Sequence, residues 1–289
     1  MPRKLLAAAI AAIAAWLPAD SAEPPAEPTR EPLRPVNSAF MLSAGSSHLA
    51  DTYLTPLKYE GWNAAFRYER AQAMKFSPDR WRQQLRVGVE MNSAENPARN
   101  ASMQYLNLAA SWGMIHVWKL PAGFQLGLGG STGIDLGVVY NGRNGNNPAD
   151  AKADWTVNLT GTAAWRFRMD RMPVTVRWQS TLPVTGIFFS PQYDELYYEM
   201  YLGNRSGLVK GAWWGNFFRW DNLVTADLGL GPWDLRLGFQ SSALSTKAND
   251  IVTRCYNFSF VIGVCGDWFS LNPRHGLPSP ETRIINALY

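Results

Sequence analysis

Apolar and polar side chains alternate with a two-residue period through most of this chain. Across residues 154–169 the odd positions read Trp155, Val157, Leu159, Gly161, Ala163, Trp165, Phe167 and Met169. The even positions read Asp154, Thr156, Asn158, Thr160, Thr162, Ala164, Arg166 and Arg168. That is the period of a β-strand and not of a helix. Val174, Val176 and Trp178 oppose Thr175, Arg177 and Gln179 in the same way, and Leu235, Leu237 and Phe239 oppose Asp234, Arg236 and Gln240. Tyr256, Phe258, Phe260, Ile262 and Val264 share a face, as do Trp62, Ala64, Phe66 and Tyr68. The pattern predicts about ten strands, at 38–47, 61–74, 81–91, 102–118, 123–139, 153–169, 173–183, 216–230, 232–243 and 253–265.

Several of these exceed the five or six residues usual in soluble sheets. Their connections also alternate in length. Short links fall around residues 77–80, 120–122, 170–172 and Gly231, and longer ones at 48–60, 92–101, 140–152, 184–215 and 244–252. Short turns at one rim and long loops at the other are the habit of transmembrane barrels, and an even strand count puts both termini at the short-turn, periplasmic rim. The expected fold is therefore all-β: an antiparallel up-and-down transmembrane β-barrel of about ten strands with one long extracellular loop.

A water-soluble barrel also alternates, so composition has to choose. Only 17% of the 289 residues are charged, with 7 Lys against 20 Arg, while Trp, Tyr and Phe number 13, 11 and 13. A soluble wall would carry Lys and Glu on its polar face. Here that face is Thr, Asn, Gln and Gly with scattered Arg and Asp. Trp155 and Trp165, near the two ends of one strand, fit interfacial aromatic girdles. The mean hydropathy of −0.20 excludes a bundle of membrane helices, and ample apolar material excludes disorder.

The N-terminus indicates the compartment. Arg3 and Lys4 precede an apolar run at residues 5–17 and a small-residue exit at Pro18-Ala19-Asp20-Ser21, the layout of a secretory signal peptide. The domain reading is a signal peptide at 1–21, a Pro-rich linker at 22–36, the barrel at 37–267 and a periplasmic C-terminal tail at 268–289. Without Arg3, Lys4 and Asp20 the formal charge falls from +4 to +3, too weak for a nucleic-acid partner. Cys255 and Cys265 lie about 33 Å apart if one strand holds both, too far for a disulfide. They are expected to be free, with no metal-ligand spacing around either.

Two stretches carry a resemblance. One is Ser46-Ser47-His48-Leu49-Ala50-Asp51-Thr52-Tyr53, continuing through Pro56 and Tyr59 to Trp62. The other is Gly186-Ile187-Phe188-Phe189-Ser190-Pro191-Gln192-Tyr193, continuing through Tyr197-Tyr198-Glu199 to Leu202-Gly203-Asn204. Together they resemble an uncharacterised family of secreted Bacteroidetes proteins with a domain of unknown function over most of the mature chain. The resemblance implies an outer-membrane setting and transfers no catalytic residue.

Candidate chemistry is sparse. Ser46, His48 and Asp51 form the one His/Ser/Asp cluster, at the expected extracellular rim, where a lipid acyl hydrolase or transferase would act. Ser46 and His48 share a strand face and Ser47 does not. The competing reading is a histidine that ties down a loop. His116 beside Trp118, and His275 in the tail, lack carboxylate or Cys neighbours at ligand spacing. The run from Gly127 to Gly133 is followed by no helix or Lys, so it is a strand with a thin face and not a phosphate loop. Tyr193, Leu196, Tyr197, Met200 and Tyr201 fall at helical spacing within 184–215, which suits a short amphipathic helix capping the mouth or docking a partner. Ten strands carrying Arg67, Glu69, Arg82, Arg86, Arg166, Arg168, Arg177 and Asp227 on the polar face should fill their own lumen, since open channels need about 16 strands. The expected role is a small outer-membrane barrel, non-catalytic, serving as a structural or accessory subunit of an envelope assembly. No cofactor or metal is expected; the expected partners are outer-membrane lipid and an envelope protein.

Overall fold

In a computed structural model of the chain, residues 32–145, 147–193, 196–203, 206–231, 233–268 and 283–288 are described. Eleven strands form in chain order: β1 (Val36–Asp51), β2 (Lys58–Ala73), β3 (Trp81–Glu95), β4 (Ser102–Lys119), β5 (Phe124–Asn141), β6 (Ala149–Met169), β7 (Met172–Phe189), β8 (Val209–Ala212), β9 (Phe217–Gly229), β10 (Asp234–Ala248) and β11 (Ile251–Trp268). One five-residue helix, α1 (Tyr197–Tyr201), precedes β8.

Each long strand pairs antiparallel with its neighbour in sequence, and β1 pairs with β11 from Val36↔Trp268 to Asp51↔Thr253. That pairing, with β6–β7 and β7–β9, closes ten strands into a barrel. The short β8 rides on the upper end of β7, from Gly186↔Ala212 to Phe189↔Val209.

Closure assigns every side chain to the wall's outside or to the lumen. On β6, Trp155, Val157 and Leu159 are exposed while Thr156, Asn158 and Thr160 are buried. Leu42, Phe66, Val89, Leu108, Leu128, Phe239 and Ile262 continue the apolar outer face. Trp62, Tyr140, Trp155, Trp220 and Tyr256 ring it near the long-loop rim, and Trp118, Phe124, Trp165, Trp178 and Trp233 near the short-turn rim. Trp155 and Trp165 span about 33 Å of strand at about 3.3 Å per residue, and a tilt of about 40° turns that into about 25 Å of wall height. This is the height of an apolar band facing lipid. Outward positions between the two rings carry no Asp, Glu, Lys or Arg. The wall is that of a membrane-spanning barrel, and it closes the choice that alternation leaves open.

The predicted strands all form, and most run further toward the long-loop rim than periodicity suggests. The expected long link at 244–252 is a two-residue turn, with Asn249 and Asp250 both at positive φ as a tight hairpin requires. Loop length therefore distinguishes the rims less than expected; strand extension beyond the aromatic ring distinguishes them more. The strand predicted to stop at residue 183 continues to Phe189, because Val184 is the extra residue of a β-bulge between Pro183↔Asn158 and Thr185↔Val157. The bulge switches inward parity from odd (Gln179, Pro183) to even (Phe188), so the period breaks while the strand does not.

The expected C-terminal tail is, in its described part, a plug. Leu33 donates its N–H to the carbonyl of Arg283 (2.9 Å) and accepts from Ile285 N–H (2.9 Å), forming an isolated parallel bridge. Ile285, Ala287 and Leu288 are buried, with Ala71 beside the last two, and Arg82 donates to the Ala287 carbonyl (3.4 Å). Asn286 bonds Asp267. The signal-peptide segment, most of the linker and His275 lie outside the described residues. The two cysteines are free and buried on the lumenal face of β11.

Leu159→Arg places a charge in the lipid face and should cost about 2–4 kcal/mol if it sits at the bilayer midplane. Thr160→Arg, one residue on and lumenal, should cost less. Urea unfolding in lipid vesicles measures both, and equal costs would contradict the assigned faces.

Candidate functional site

The lumen is where the polar half of the alternation is spent. Near the short-turn end, Glu69 is the centre of a charge lattice. Arg86 lies directly opposite it across β2–β3 (3.4 Å), Arg177 reaches it from β7 (2.8 Å) and Arg236 from β10 (3.5 Å). Arg236 in turn donates twice to Asp227, its direct cross-strand partner, at 2.6 and 2.7 Å. Arg236 is 0% and Glu69 1% exposed. Charges this deep persist only when paired on several sides. Arg82, lower still, donates to Thr162 (2.7 Å) and meets the plug. Arg166 and Arg168, expected in the same network, sit exposed where β6 outruns the lumen.

Higher up, Arg67 donates to Glu90 (2.5 Å) and to Ser43 (3.0 Å), and Asn257 donates to the other Glu90 oxygen (2.6 Å). Asp135 and Asp154 face each other directly across β5–β6, a like-charge pair that would repel. Arg219 from β9 reconciles them, donating to Asp135 at 2.7 Å and to Asp154 at 2.9 Å. Between the two tiers lies a cavity of about 180 Å³, lined by charged and apolar residues together. Above it Leu49, Tyr59, Ala94, Met103, Tyr105 and Val139 fill the lumen as an apolar cluster.

The wall beside the cavity is interrupted. β7 and β9 pair from Val174↔Leu228 only as far as Thr181↔Asp221. β7 is next paired on that side at Gly186↔Ala212, to β8. β8 and β9 descend in the same direction, so they form one strand broken by the insertion Trp213-Trp214-Gly215-Asn216. Among the described residues, Leu182, Pro183, Val184 and Thr185 have no ladder partner along that edge. Pro183 lines the cavity, and its carbonyl accepts the indole N–H of Trp214, which covers the gap from outside.

At the long-loop rim, well outside the aromatic ring, Lys152 bridges Asp51 (2.8 Å) and Asp150. Tyr197 of α1 donates to Asp150 (3.0 Å) and accepts the N–H of Ala151 (2.6 Å), and its ring packs edge-on to Tyr53. Burial pushes the Asp150 carboxyl up to about 6 against the pull of Lys152, with Asp51 adding to the rise. Burial, then the Asp150 charge, raises the Tyr197 phenol. The two stretches that carry the family resemblance meet here, one bringing Asp51 and Tyr53, the other Tyr197.

The structure divides the Ser46, His48 and Asp51 cluster. Ser46 and His48 are exposed on the outside of β1, with His48 opposite Glu60 (3.6 Å), while Asp51 is buried inside, committed to Lys152 and Thr253. A nucleophile and base on one side of a wall and their third member on the other do not form a triad. Of the helical set, Met200 is buried and Tyr197 turned inward, whereas Tyr193 and Tyr201 are exposed and Leu196 lies just before the helix. Asp194 and Glu195 lie outside the described residues. Among the described residues no group of three His, Cys, Asp or Glu side chains is placed to hold a metal ion. The sequence reading missed Arg219, Arg236 and the Lys152 cluster as lumenal partners, although shared parity with Asp221, Asp234 and Asp154 marks their faces.

The chain belongs to the family described as "Protein of unknown function (DUF3316)", matched over residues 5–275. No curated protein matches it. Among solved structures it is similar to the outer membrane protease OmpT from Escherichia coli, at 8% identity and a TM-score of 0.47, over 81% of this chain and 97% of that one. It is also similar to the transport unit of the autotransporter AIDA-I from Escherichia coli (6%, TM-score 0.41, 81% and 90%). A third is the translocator domain of the autotransporter NalP from Neisseria meningitidis (12%, TM-score 0.37, 91% and 95%). The barrel fold resembles that of outer-membrane proteins; its assignment here rests on the strand pairing.

A raised carboxyl destabilises the fold as pH climbs. Asp150 binds its proton more tightly folded than unfolded, so its contribution is full below about pH 4 and is lost as pH passes about 6. Asp150→Asn removes that dependence and leaves Lys152 paired with Asp51. Relative to wild type, the variant should gain about 3 kcal/mol between pH 4 and pH 7. Denaturant titrations at the two pH values measure the difference, and a constant offset would contradict it.

Proposed function

We propose that this DUF3316 protein is a non-conducting outer-membrane β-barrel, with both termini in the periplasm, that acts as a structural or accessory subunit of an envelope assembly. The observation carrying the reading is a lumen blocked at both ends around one cavity. The C-terminal plug, the Glu69 lattice and the apolar cluster around Met103 succeed one another from one mouth to the other. A barrel so blocked has no through path for solutes. The apolar belt supports a membrane site, and the basic-then-apolar leader supports export. The exposed Tyr193, Tyr198, Tyr201 and Leu202 at the long-loop rim offer the surface for an envelope partner.

Full-length protein in planar bilayers should show no steady conductance, and vesicles containing it should exclude small sugars. Channel steps of porin size would overturn the reading. On intact cells, a protease site inserted in residues 142–148 should be cut and one at residues 170–171 protected; the reverse would invert the topology.

A further inference from the structure

The geometry points to a binding site for a zwitterionic phospholipid headgroup inside the lumen, entered sideways from the bilayer through the gap between β7 and β9. The inference rests on the membrane-spanning reading above and goes beyond it, since a sealed lumen needs no ligand.

Three observations meet at one place. The first is the gap itself. In hydrocarbon every backbone polar group needs a protein partner, so a stretch such as residues 182–185 without a ladder partner on one side is tolerated only beside a polar or protein-filled space. Here that space is the cavity, which Pro183 lines. The proline is also suited to the position, because it has no N–H to leave unpaired.

The second is the charge inventory of the cavity. Arg67, Arg86 and Arg219 face Glu90, Asp135 and Asp221, three of each sign. Four of the six are committed to one another in two groups, Arg67 with Glu90 and Arg219 with Asp135. The other two are not. Asp221 has no hydrogen bond or ion pair within 4 Å among the described residues, and Arg86 meets Glu69 through Nε at 3.4 Å. Both line the one cavity, Asp221 with Arg219 as its strongest cationic neighbour and Arg86 with Glu69 as its own partner. A phosphate beside an ammonium complements that pair, the phosphate on Arg86 and the ammonium on Asp221. An anionic headgroup would leave Asp221 unanswered. The cavity of about 180 Å³ holds on the order of ten waters, which a small headgroup would displace.

The third is position. Asp221 stands on the last β7–β9 rung, at the lip of the gap, and the exposed Trp220 of the interfacial ring is the adjacent residue of β9, level with the gap itself. The opening thus lies at the level of that ring, where a headgroup can turn into the wall while its acyl chains remain in the bilayer. Trp214 is the latch. It is 64% exposed and bound to the Pro183 carbonyl through its indole, so one hydrogen bond holds it over the gap.

The test uses full-length protein in vesicles of equal parts dioleoyl phosphatidylethanolamine and dioleoyl phosphatidylglycerol, extracted in mild detergent for native mass spectrometry. Wild type should retain one phosphatidylethanolamine in about tenfold preference to phosphatidylglycerol, the worth of one charge-assisted hydrogen bond. Asp221→Asn and Arg86→Gln should each bring the ratio near one. Ser111→Leu, which fills the cavity directly across the ladder from Arg86 but removes no charge, should abolish retention and serves if either charge variant fails to fold. Trp214→Ala should exchange the bound lipid several-fold faster at unchanged occupancy. Equal retention of both lipids, or retention indifferent to Asp221 and Ser111, would overturn the site. An exchange rate unmoved in Trp214→Ala, or displacement by soluble phosphoethanolamine as readily as by the lipid, would overturn the lateral entrance. Heat-modifiable migration on gels reports barrel formation separately, so loss of the barrel is distinguished from loss of the site.

Discussion

Hydrocarbon offers a backbone N–H or carbonyl nothing to bond, and the rest of this structure follows from that constraint. A sheet in such a solvent must close on itself. Here closure comes from β1 meeting β11 along the whole of β1, from Val36↔Trp268 to Asp51↔Thr253. Once the ring is shut, each residue has one of two environments, and the two-residue period becomes a partition between lipid and lumen. The apolar belt, the aromatic rings and the polar interior are three consequences of one topological fact.

The interior then has a problem of its own. Ten strands enclose a space too narrow for a water-filled channel and too polar to collapse like a soluble core. The solution is to let charges answer charges across the ring, often in direct cross-strand register, as with Glu69 and Arg86 or Asp227 and Arg236. Where register brings like charges together, at Asp135 and Asp154, a cation from a third strand settles the pair. A lattice of this kind resists substitution, because removing any one member strands another in a low dielectric.

One stretch of wall departs from closure. The Val184 bulge and the inserted residues before β9 interrupt the ladder beside the cavity that Arg86 and Asp221 both line. A defect in the wall and an incomplete pairing behind it are each costly alone. Their coincidence is the reason to read them as one feature. Trp214 is large, interfacial by chemistry and bound to the carbonyl that the gap exposes, which makes it the natural cover.

Alternation alone determined much of this protein. The barrel class, the ten strands, the outward face of each and the free state of Cys255 and Cys265 are all local properties, because adjacent strand residues must point opposite ways and a long strand keeps its ends apart. Strand ends were less legible where β7 passes through its bulge, since one inserted residue reverses parity and looks like a stop. What only the tertiary structure decided is which residues meet. Arg219 lies 84 positions from Asp135, and Arg82 lies 205 from Ala287; no local period encodes contacts made by closing a ring. The same closure separates neighbours in sequence. Ser46, His48 and Asp51 look like one cluster on paper, yet the wall runs between them. A two-residue period assigns side chains to faces, and only the closed ring determines what each face encloses.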